Sequence, residues 1–161
     1  WRNKFVLVTQ SYVGQSTVFI RNKYPKTWEY LLKHGNQLDS RASVIYKKNP
    51  RFSIFGVGDY SFKPWKIAIC GLYKVLNFKM VGPIENKATI FDDTVYFISF
   101  DSEPEAKAAL AYLKKNEVMA FFNALIFWDD KRPVKTGILN TLKWQVESMV
   151  GLNQQELLFS T

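Results

Sequence analysis

The feature that most constrains the fold is a near-continuous apolar run at Trp65-Lys-Ile-Ala-Ile-Cys-Gly-Leu72. It is far shorter than the roughly 20 residues that a membrane-spanning helix needs. Short apolar runs bounded by turn signals are typical of strands that are buried on both faces of a sheet. Residues 65–72 are therefore predicted to form a central strand.

The sequence before and after this run predicts further strands and one long helix. Strands are expected at residues 5–9, 16–20, 52–55, 78–81, 88–91 and 94–100, separated by Gly, Pro or Asp-Asp turns. Pro25 suits the first turn of a helix. Apolar residues then recur at helical spacing, which extends the predicted helix to about Ser43. These residues are Trp28, Leu31, Leu32 and Leu38.

The C-terminal part is predicted to be helical. Ser102-Glu-Pro-Glu105 has the capping-box pattern, which predicts a helix to about Lys115. Asn116 is expected to cap a second helix through Phe127. A third helix is expected from residues 133–136 onward, carrying Ile138, Leu139 and Leu142. This order favours an α+β fold, with a mainly antiparallel or mixed sheet and with an N-terminal helix and C-terminal helices packed against it.

Composition narrows the class of protein. A chain of 161 residues that is 47% hydrophobic fits one packed domain. One cysteine, Cys70, and one histidine, His34, rule out an internal disulfide and a zinc site rich in His and Cys. This cysteine usage fits a reducing, cytoplasmic compartment. The chain begins at Trp1 rather than at Met, so we expect it to be a segment of a longer protein.

Positive charge is concentrated in the first half of the chain. The net charge is +8, and residues 21–87 hold 13 Lys/Arg against 4 Asp/Glu. Residues 88–161 hold 7 against 10. A basic segment of this kind points to a polyanion or to an acidic membrane surface.

Motifs for catalysis are absent or weak. The sequence has no Gly-x-Gly-x-x-Gly, no phosphate-binding loop signature and no Gly-x-Ser-x-Gly elbow. Asp59 followed by Glu85-Asn-Lys87 has the order of a metal-dependent nuclease core, although Glu85 is expected in a loop. Asp92-Asp93 and Asp129-Asp130 are expected in turns, where Asp accepts backbone hydrogen bonds.

Cations and aromatic rings alternate in residues 41–79. Lysine and arginine can neutralise phosphates, and tyrosines at residues 46, 60 and 73 offer ring faces and hydroxyls. The loop at residues 56–64 is a candidate probe into a DNA groove. The large apolar residues of this segment are expected in the core instead: Phe52, Phe55, Trp65 and Leu72.

Two stretches of this segment resemble a known family. Leu38-Asp-Ser-Arg-Ala-Ser-Val-Ile-Tyr46 and the block from Arg51 to Lys74, which contains Phe-Gly-Val-Gly-Asp-Tyr-Ser-Phe-Lys-Pro-Trp, resemble the C-terminal specificity domain of prokaryotic adenine-N6 DNA methyltransferases of the Taq type. Asp92-Asp-Thr-Val-Tyr-Phe97 is similar to the next motif, and residues 121–142 are similar to the helical end of that domain. The family includes fused restriction-modification enzymes.

The resemblance implies a target recognition domain. It implies a single domain over residues 1–161, with a core recognition region at about 20–145 and a helical tail at 146–161. S-adenosylmethionine is expected in a separate N-terminal catalytic domain of the same polypeptide, because the family's Asn-Pro-Pro-aromatic motif and glycine-rich cofactor motif are absent here. The chain is therefore expected to hold no cofactor, no metal and no catalytic residue, and to bind double-stranded DNA rather than a membrane.

Side chains that could read base edges or grip phosphates follow from this interpretation. The candidate base-reading residues are Arg51, Tyr60, Ser61, Lys63 and Lys66. The candidate phosphate-binding residues are Arg41, Lys47, Lys48, Lys74 and Lys79. Two alternatives stay open: a nuclease that uses Asp59, Glu85 and Lys87, or a protein-interaction domain that docks through Phe121, Phe122, Phe127 and Trp128.

Overall fold

The computed structural model describes residues 5–144 and 159–160. The chain forms two compact units, an N-terminal unit, Trp1–Asp59, and a C-terminal unit, Tyr60–Thr161. Most of the predicted helical tail, residues 146–158 and 161, lies outside the described residues.

Short helices build the N-terminal unit. They are α1 (Phe19–Lys23), α2 (Pro25–Lys33), α3 (Gly35–Asp39) and α4 (Val44–Lys48). Among the described residues, a small apolar cluster joins α1, α2 and α3, made of Ile20, Leu31 and Phe52 with Trp28 and Leu38 at its margin. Trp28 meets the edge of the Phe52 ring at a centroid distance of 5.3 Å. A cluster with three buried apolar side chains is a thin core, so polar bonds contribute much to the structure of this unit.

Buried polar side chains hold the loop around Phe52. The Thr17 hydroxyl donates to the carbonyl of Arg51 at 2.6 Å, and the Thr9 hydroxyl donates to the carbonyl of Phe52 at 2.6 Å. The amide N–H of Ile54 donates to Oε1 of Gln10 at 3.0 Å. Buried backbone groups must find partners, and here side chains distant in sequence supply them.

The three strands predicted in this unit are wrong. Residues 5–10 are irregular, because Thr9 and Gln10 point inward to bond the loop rather than pair with a strand. Residues 16–20 lead into α1, which buries Ile20. Residues 52–55 cannot extend a strand, since Phe52 has a φ of 64°, a left-handed conformation rare for a bulky residue.

The long helix predicted from Pro25 to Ser43 is two shorter helices. It begins at Pro25 as expected, but α2 ends at Lys33 and α3 ends at Asp39. A side chain at Gly35 would place its Cβ 2.7 Å from Nη2 of Arg51. Glycine at this position therefore lets the arginine lie against the start of α3.

A three-stranded antiparallel sheet organises the C-terminal unit. Its strands are β1 (Trp65–Cys70), β2 (Lys79–Val81) and β3 (Val95–Phe100), in the order β2-β1-β3. In the register, Ile67 lies opposite Met80 on one side and Ile98 on the other. The predicted central strand and the antiparallel sheet are confirmed. The strand predicted at residues 88–91 is wrong, since no described strand covers it.

One face of the sheet packs against helices. These are α5 (Glu103–Leu113), α6 (Asn116–Leu125) and the single turn α7 (Thr136–Leu139). Side chains of β1 and β3 meet α5 and α6 in a large apolar core that includes Ile67, Ile69, Ile98, Leu113 and Phe122. The predicted α+β class is therefore confirmed. The third predicted helix is shorter than expected, and Leu142 lies beyond its end.

The capping box predicted at the start of α5 is present. The Ser102 hydroxyl accepts from the amide of Glu105, and the Glu105 carboxylate accepts from the amide of Ser102 at 3.1 Å. The second predicted helix is confirmed as α6, but Lys115 rather than Asn116 takes the capping position, and the helix ends at Leu125. A helix start of this kind is specified by neighbouring residues, so it can be predicted well from sequence.

Candidate nucleic-acid interface

The second face of the sheet carries an aromatic group around Phe97. Alternation along β1 puts Lys66 and Ala68 on the face opposite the large core, and Phe97 lies directly across from Ala68. Tyr60 and Phe91 contact the Phe97 ring at centroid distances of 5.8 and 5.4 Å. Tyr60, which belongs to the loop at residues 56–64 and is half-buried, thus packs against the sheet.

Lys66 lies inside this group. Its side chain is 1% exposed, its Nζ lies 5.7 Å from the centre of the Phe97 ring, and it donates to the carbonyl of Lys63 at 2.7 Å. Burial away from water lowers the pKa of Lys66 to about 8, because it disfavours the charged form. The ammonium therefore holds the backbone of the loop at Lys63 from beneath.

The other candidate base-reading residues of this unit differ in accessibility. Ser61 is buried, whereas Lys63 is partly exposed and pairs with Asp101 at 2.9 Å. The Lys63 ammonium therefore lies near the surface, whereas the side chains of Lys66 and Ser61 are buried. The structure thus brings Tyr60, Lys63 and Lys66 together, with different exposure.

Arg51 and Arg41 belong to the N-terminal unit and are both engaged. Arg51 binds Asp39 through Nε and Nη2, the latter at 2.7 Å, and its guanidinium lies 4.6 Å from the centre of the Phe52 ring. That hydrogen-bonded arginine lowers the pKa of the Asp39 carboxyl. To read a guanine edge with its fork, Arg51 must first leave Asp39.

Arg41 ties α3 to the loop around Phe52. It donates to the carbonyl of Leu38 at 2.7 Å and to the carbonyl of Ser53 at 2.8 Å. Its guanidinium also stacks 3.7 Å from the centre of the Tyr46 ring. These contacts give this candidate phosphate ligand a structural role.

Four candidate phosphate ligands are exposed at three places. Lys47 and Lys48 lie at the C-terminal end of α4, where a positive charge interacts favourably with the helix dipole. Lys79 begins the edge strand β2, and Lys74 lies in the turn after β1. The expectation that Phe55 and Leu72 belong to the core is wrong, since they are 48% and 41% exposed. Phe52 is buried and Trp65 is partly buried, as expected.

The two units differ sharply in charge. Residues 1–59 hold ten Lys/Arg against three Asp/Glu, or +7, whereas residues 60–161 hold twelve against eleven, or +1. The charge maximum therefore coincides with the N-terminal unit. Four exposed cations on its first two helices were not among the predicted site residues: Arg21, Lys23, Lys26 and Lys33. Their spacing on a helix was the sequence signal that could have found them.

The residues of the nuclease alternative do not form a metal site. Glu85 and Asn86 both have left-handed backbone at the tip of a tight turn that Ile84 and Lys87 close with two backbone hydrogen bonds of 3.0 and 2.9 Å. Glu85 therefore lies in a turn, as the sequence predicted. Within residues 5–144 and 159–160, no three His, Cys, Asp or Glu side chains gather as metal ligands would. None of the described helices is long and apolar enough to cross a bilayer.

Asp92 behaves as a turn residue rather than as a ligand. Its carboxylate accepts from the hydroxyl and from the amide of Thr94, and these hydrogen bonds lower the pKa of Asp92. Asp130 in the second acidic pair accepts from Lys135. The prediction that Asp92 accepts backbone hydrogen bonds in a turn is confirmed.

The aromatic residues of the docking alternative divide between core and surface. Phe122 is fully buried and Trp128 packs against the large core, whereas Phe121 and Phe127 are exposed. Two of the four rings belong to the core, so the structure gives this alternative no support.

Comparison with known proteins finds one clear relationship. Type II methyltransferase M.NspV from Nostoc sp. (strain ATCC 29411 / PCC 7524) is 54% identical to this chain over 148 residues. The match covers 92% of this chain and 31% of the relative, so the chain spans about a third of that protein's length. No family model matches the sequence, and the comparison with solved structures found no match. The chain is thus related to a methyltransferase, through one part of that enzyme.

Proposed function

We propose that this chain is the DNA target recognition domain of a site-specific adenine-N6 DNA methyltransferase in a restriction-modification system. The relationship over nearly the whole chain to a third of a type II methyltransferase carries this proposal. The resemblance at residues 38–46 and 51–74 to the Taq-type specificity domain narrows it. The +7 charge of residues 1–59 supplies the attraction to phosphates.

The chemistry of the parent enzyme explains why such a domain is needed. A methyltransferase that modifies a base must turn it out of the duplex, which requires a grip on both flanks. S-adenosylmethionine and the reacting groups would lie in a catalytic domain N-terminal to this one, since the sequence here carries neither the Asn-Pro-Pro-aromatic motif nor a glycine-rich cofactor motif. The role of this domain is to bind and orient DNA.

The side chains would act from two supports. Tyr60, Lys63 and Lys66 form one set at the second face of the sheet, in which Lys66 donates to the carbonyl of Lys63 and the Lys63 side chain would contact DNA. Arg51 is a second candidate base-reading residue, and in this structure it forms an ion pair with Asp39. Exposed Lys47, Lys48, Lys74 and Lys79 would contact phosphates.

Duplex binding at a series of salt concentrations tests the proposal. The 161-residue chain should bind a labelled duplex of about 30 base pairs, and log K should fall linearly with log salt, by about 0.9 per phosphate contact. With added S-adenosylmethionine it should transfer no methyl group to DNA. Absence of binding at low salt, or affinity that does not change with salt, would contradict a DNA-binding role. Methyl transfer by the isolated chain would contradict the non-catalytic assignment.

A further inference from the structure

Four exposed cations of α1 and α2 lie outside the set of predicted site residues. Of these, Lys23 contacts the Tyr24 ring, with its Nζ 5.9 Å from the ring centre. Arg21, Lys23, Lys26 and Lys33 are all exposed, and none has a carboxylate partner within the described part of the chain. By contrast, Arg41, Arg51, Lys63 and Lys66 are each held by internal hydrogen bonds or ion pairs.

Helical geometry gathers part of this set on one side of α2. Lys26, Tyr30 and Lys33 are spaced i, i+4 and i+7, so they share the outward stripe. Leu31 is buried and Trp28 is half-buried on the opposite side. Tyr30 is itself exposed and adds a hydroxyl to this stripe.

The spacing of this stripe suits a nucleic-acid backbone. Lys26 and Lys33 are seven residues apart, which is about 10.5 Å along a helix axis at 1.5 Å per residue. One DNA strand carries a charge about every 3.4 Å of axis. The two ammonium groups can therefore reach phosphates about three nucleotides apart. Glu29 lies between them as the one carboxylate of α1 and α2, leaving these two helices with a net charge of +3.

We propose that the outward face of α1 and α2 is a phosphate-gripping surface for duplex DNA, formed by Arg21, Lys23, Lys26 and Lys33. This inference rests on the proposed DNA-binding function. It assigns phosphate contacts to residues that neither the motifs nor the resemblance indicated. An anionic membrane is the competing ligand, since Phe19 and Leu32 of these helices are also exposed. The proposed DNA-binding function favours a duplex, and the test below separates the two.

Removing two of these charges tests the surface. The K26Q/K33Q variant should bind a labelled 30-base-pair duplex with a salt slope smaller by about 1.8, and roughly 10- to 60-fold more weakly at 0.1 M salt. The matched control is K114Q/K131Q, which removes two exposed lysines of the C-terminal unit that have no carboxylate partner among the described residues. Its slope should change by less than about 0.5. Circular dichroism and thermal melting check that each variant is folded.

A third variant and a second ligand complete the test. Glu29→Gln removes the opposing carboxylate and should strengthen duplex binding. If K26Q/K33Q reduces the salt slope no more than the control does while the parent chain binds DNA, the proposed phosphate-binding surface is contradicted and the proposed function is not. If the parent chain binds no duplex, the proposed surface and the proposed DNA-binding function are both contradicted. Binding to phosphatidylserine vesicles in preference to duplex, lost in K26Q/K33Q, would overturn the DNA assignment in favour of a membrane.

Discussion

The two units of this chain are built on opposite principles. The C-terminal unit has a sheet and helices around a large apolar core, and its charges nearly cancel. The N-terminal unit has short helices around a small cluster, polar side chains that hold a strained loop, and a charge of +7. Hydrophobic burial and like-charge repulsion act against each other in a basic unit. Under the proposed function, the N-terminal unit would supply most of the attraction to phosphates, and the sheet of the C-terminal unit would support Tyr60, Lys63 and Lys66.

The largest expected effect is in the core of the C-terminal unit. Phe122→Ala removes a fully buried ring that contacts Phe78 at a centroid distance of 6.0 Å. The lost burial and the cavity left behind should lower the free energy of unfolding by about 3–5 kcal/mol, measured by urea denaturation. Phe121→Ala, at the exposed neighbouring position, is the control and should cost less than about 1 kcal/mol. Equal losses would show that the core does not stabilise this unit as described.

The buried Lys66 predicts an unusual pH dependence. Its folded-state pKa of about 8 lies below the unfolded value of about 10.4, so the unfolded chain binds more protons between these values. The contribution of Lys66 to stability is therefore unfavourable below pH 8 and improves as the pH rises to about 10.4. Lys66→Met removes this contribution.

The advantage of the Lys66→Met variant over the parent chain should shrink by roughly 2–3 kcal/mol between pH 7 and pH 10.4. Denaturation of both proteins across this range measures the difference, and titrations common to both cancel. Lys63→Met, at a partly exposed lysine, is the control. A difference independent of pH would mean that the Lys66 ammonium is hydrated in the folded protein.

In the N-terminal unit, the loss of a single side-chain hydrogen bond should measurably lower the free energy of unfolding. Thr17→Val keeps the shape of the side chain but leaves the Arg51 carbonyl without its hydroxyl donor. The expected loss is about 1 kcal/mol, because a partly buried acceptor loses its donor. Hydrogen exchange should show faster exchange of α1 and α2 amides.

Thr141→Val is the matched control for that bond. Thr141 is exposed in the C-terminal unit and donates to the carbonyl of Ile138, so water can replace its hydroxyl. The loss should stay within about 0.5 kcal/mol. Similar losses at Thr17 and Thr141 would contradict the view that buried polar bonds hold the N-terminal unit together.

The smallest effect compares the carboxylates that hold two candidate base-reading residues. Asp39→Asn releases Arg51, and Asp101→Asn releases Lys63, and each variant removes one negative charge. Each should steepen the salt dependence of duplex binding by at most about 0.9. We expect the larger gain for Asp39→Asn, because it lies in the basic unit. Equal gains would show that net charge, rather than the location of the released cation, sets affinity.

Sequence patterns predicted the C-terminal unit better than the N-terminal unit for a physical reason. The apolar run of β1, the capping box of α5 and the strand β3 are each specified by residues close in sequence. The wrong predictions at residues 5–9 and 16–20 lie where Thr9, Gln10 and Thr17 bond to residues 34 to 44 positions away. No local pattern encodes such bonds.

The predicted site residues show the same division. Sequence proposed cationic and aromatic residues as candidate ligands, but it could not tell which of them would be engaged in internal contacts. Lys66 has an ordinary appearance in the sequence, yet alternation on β1 turns it beneath Phe97, away from water. Arg41 looked like a phosphate ligand, and the fold uses it to bind two backbone carbonyls.

The sequence by itself determined the α+β class, the central strand and the concentration of positive charge, since hydrophobic period, capping patterns and charge are properties of the chain. The tertiary structure decided which cations remain free, because that depends on partners brought together by folding. Asp39 holds Arg51 and Asp101 holds Lys63, whereas the lysines on the outward side of α2 meet no carboxylate partner in the described residues. Under the proposed function, these exposed charges are available to a phosphate backbone.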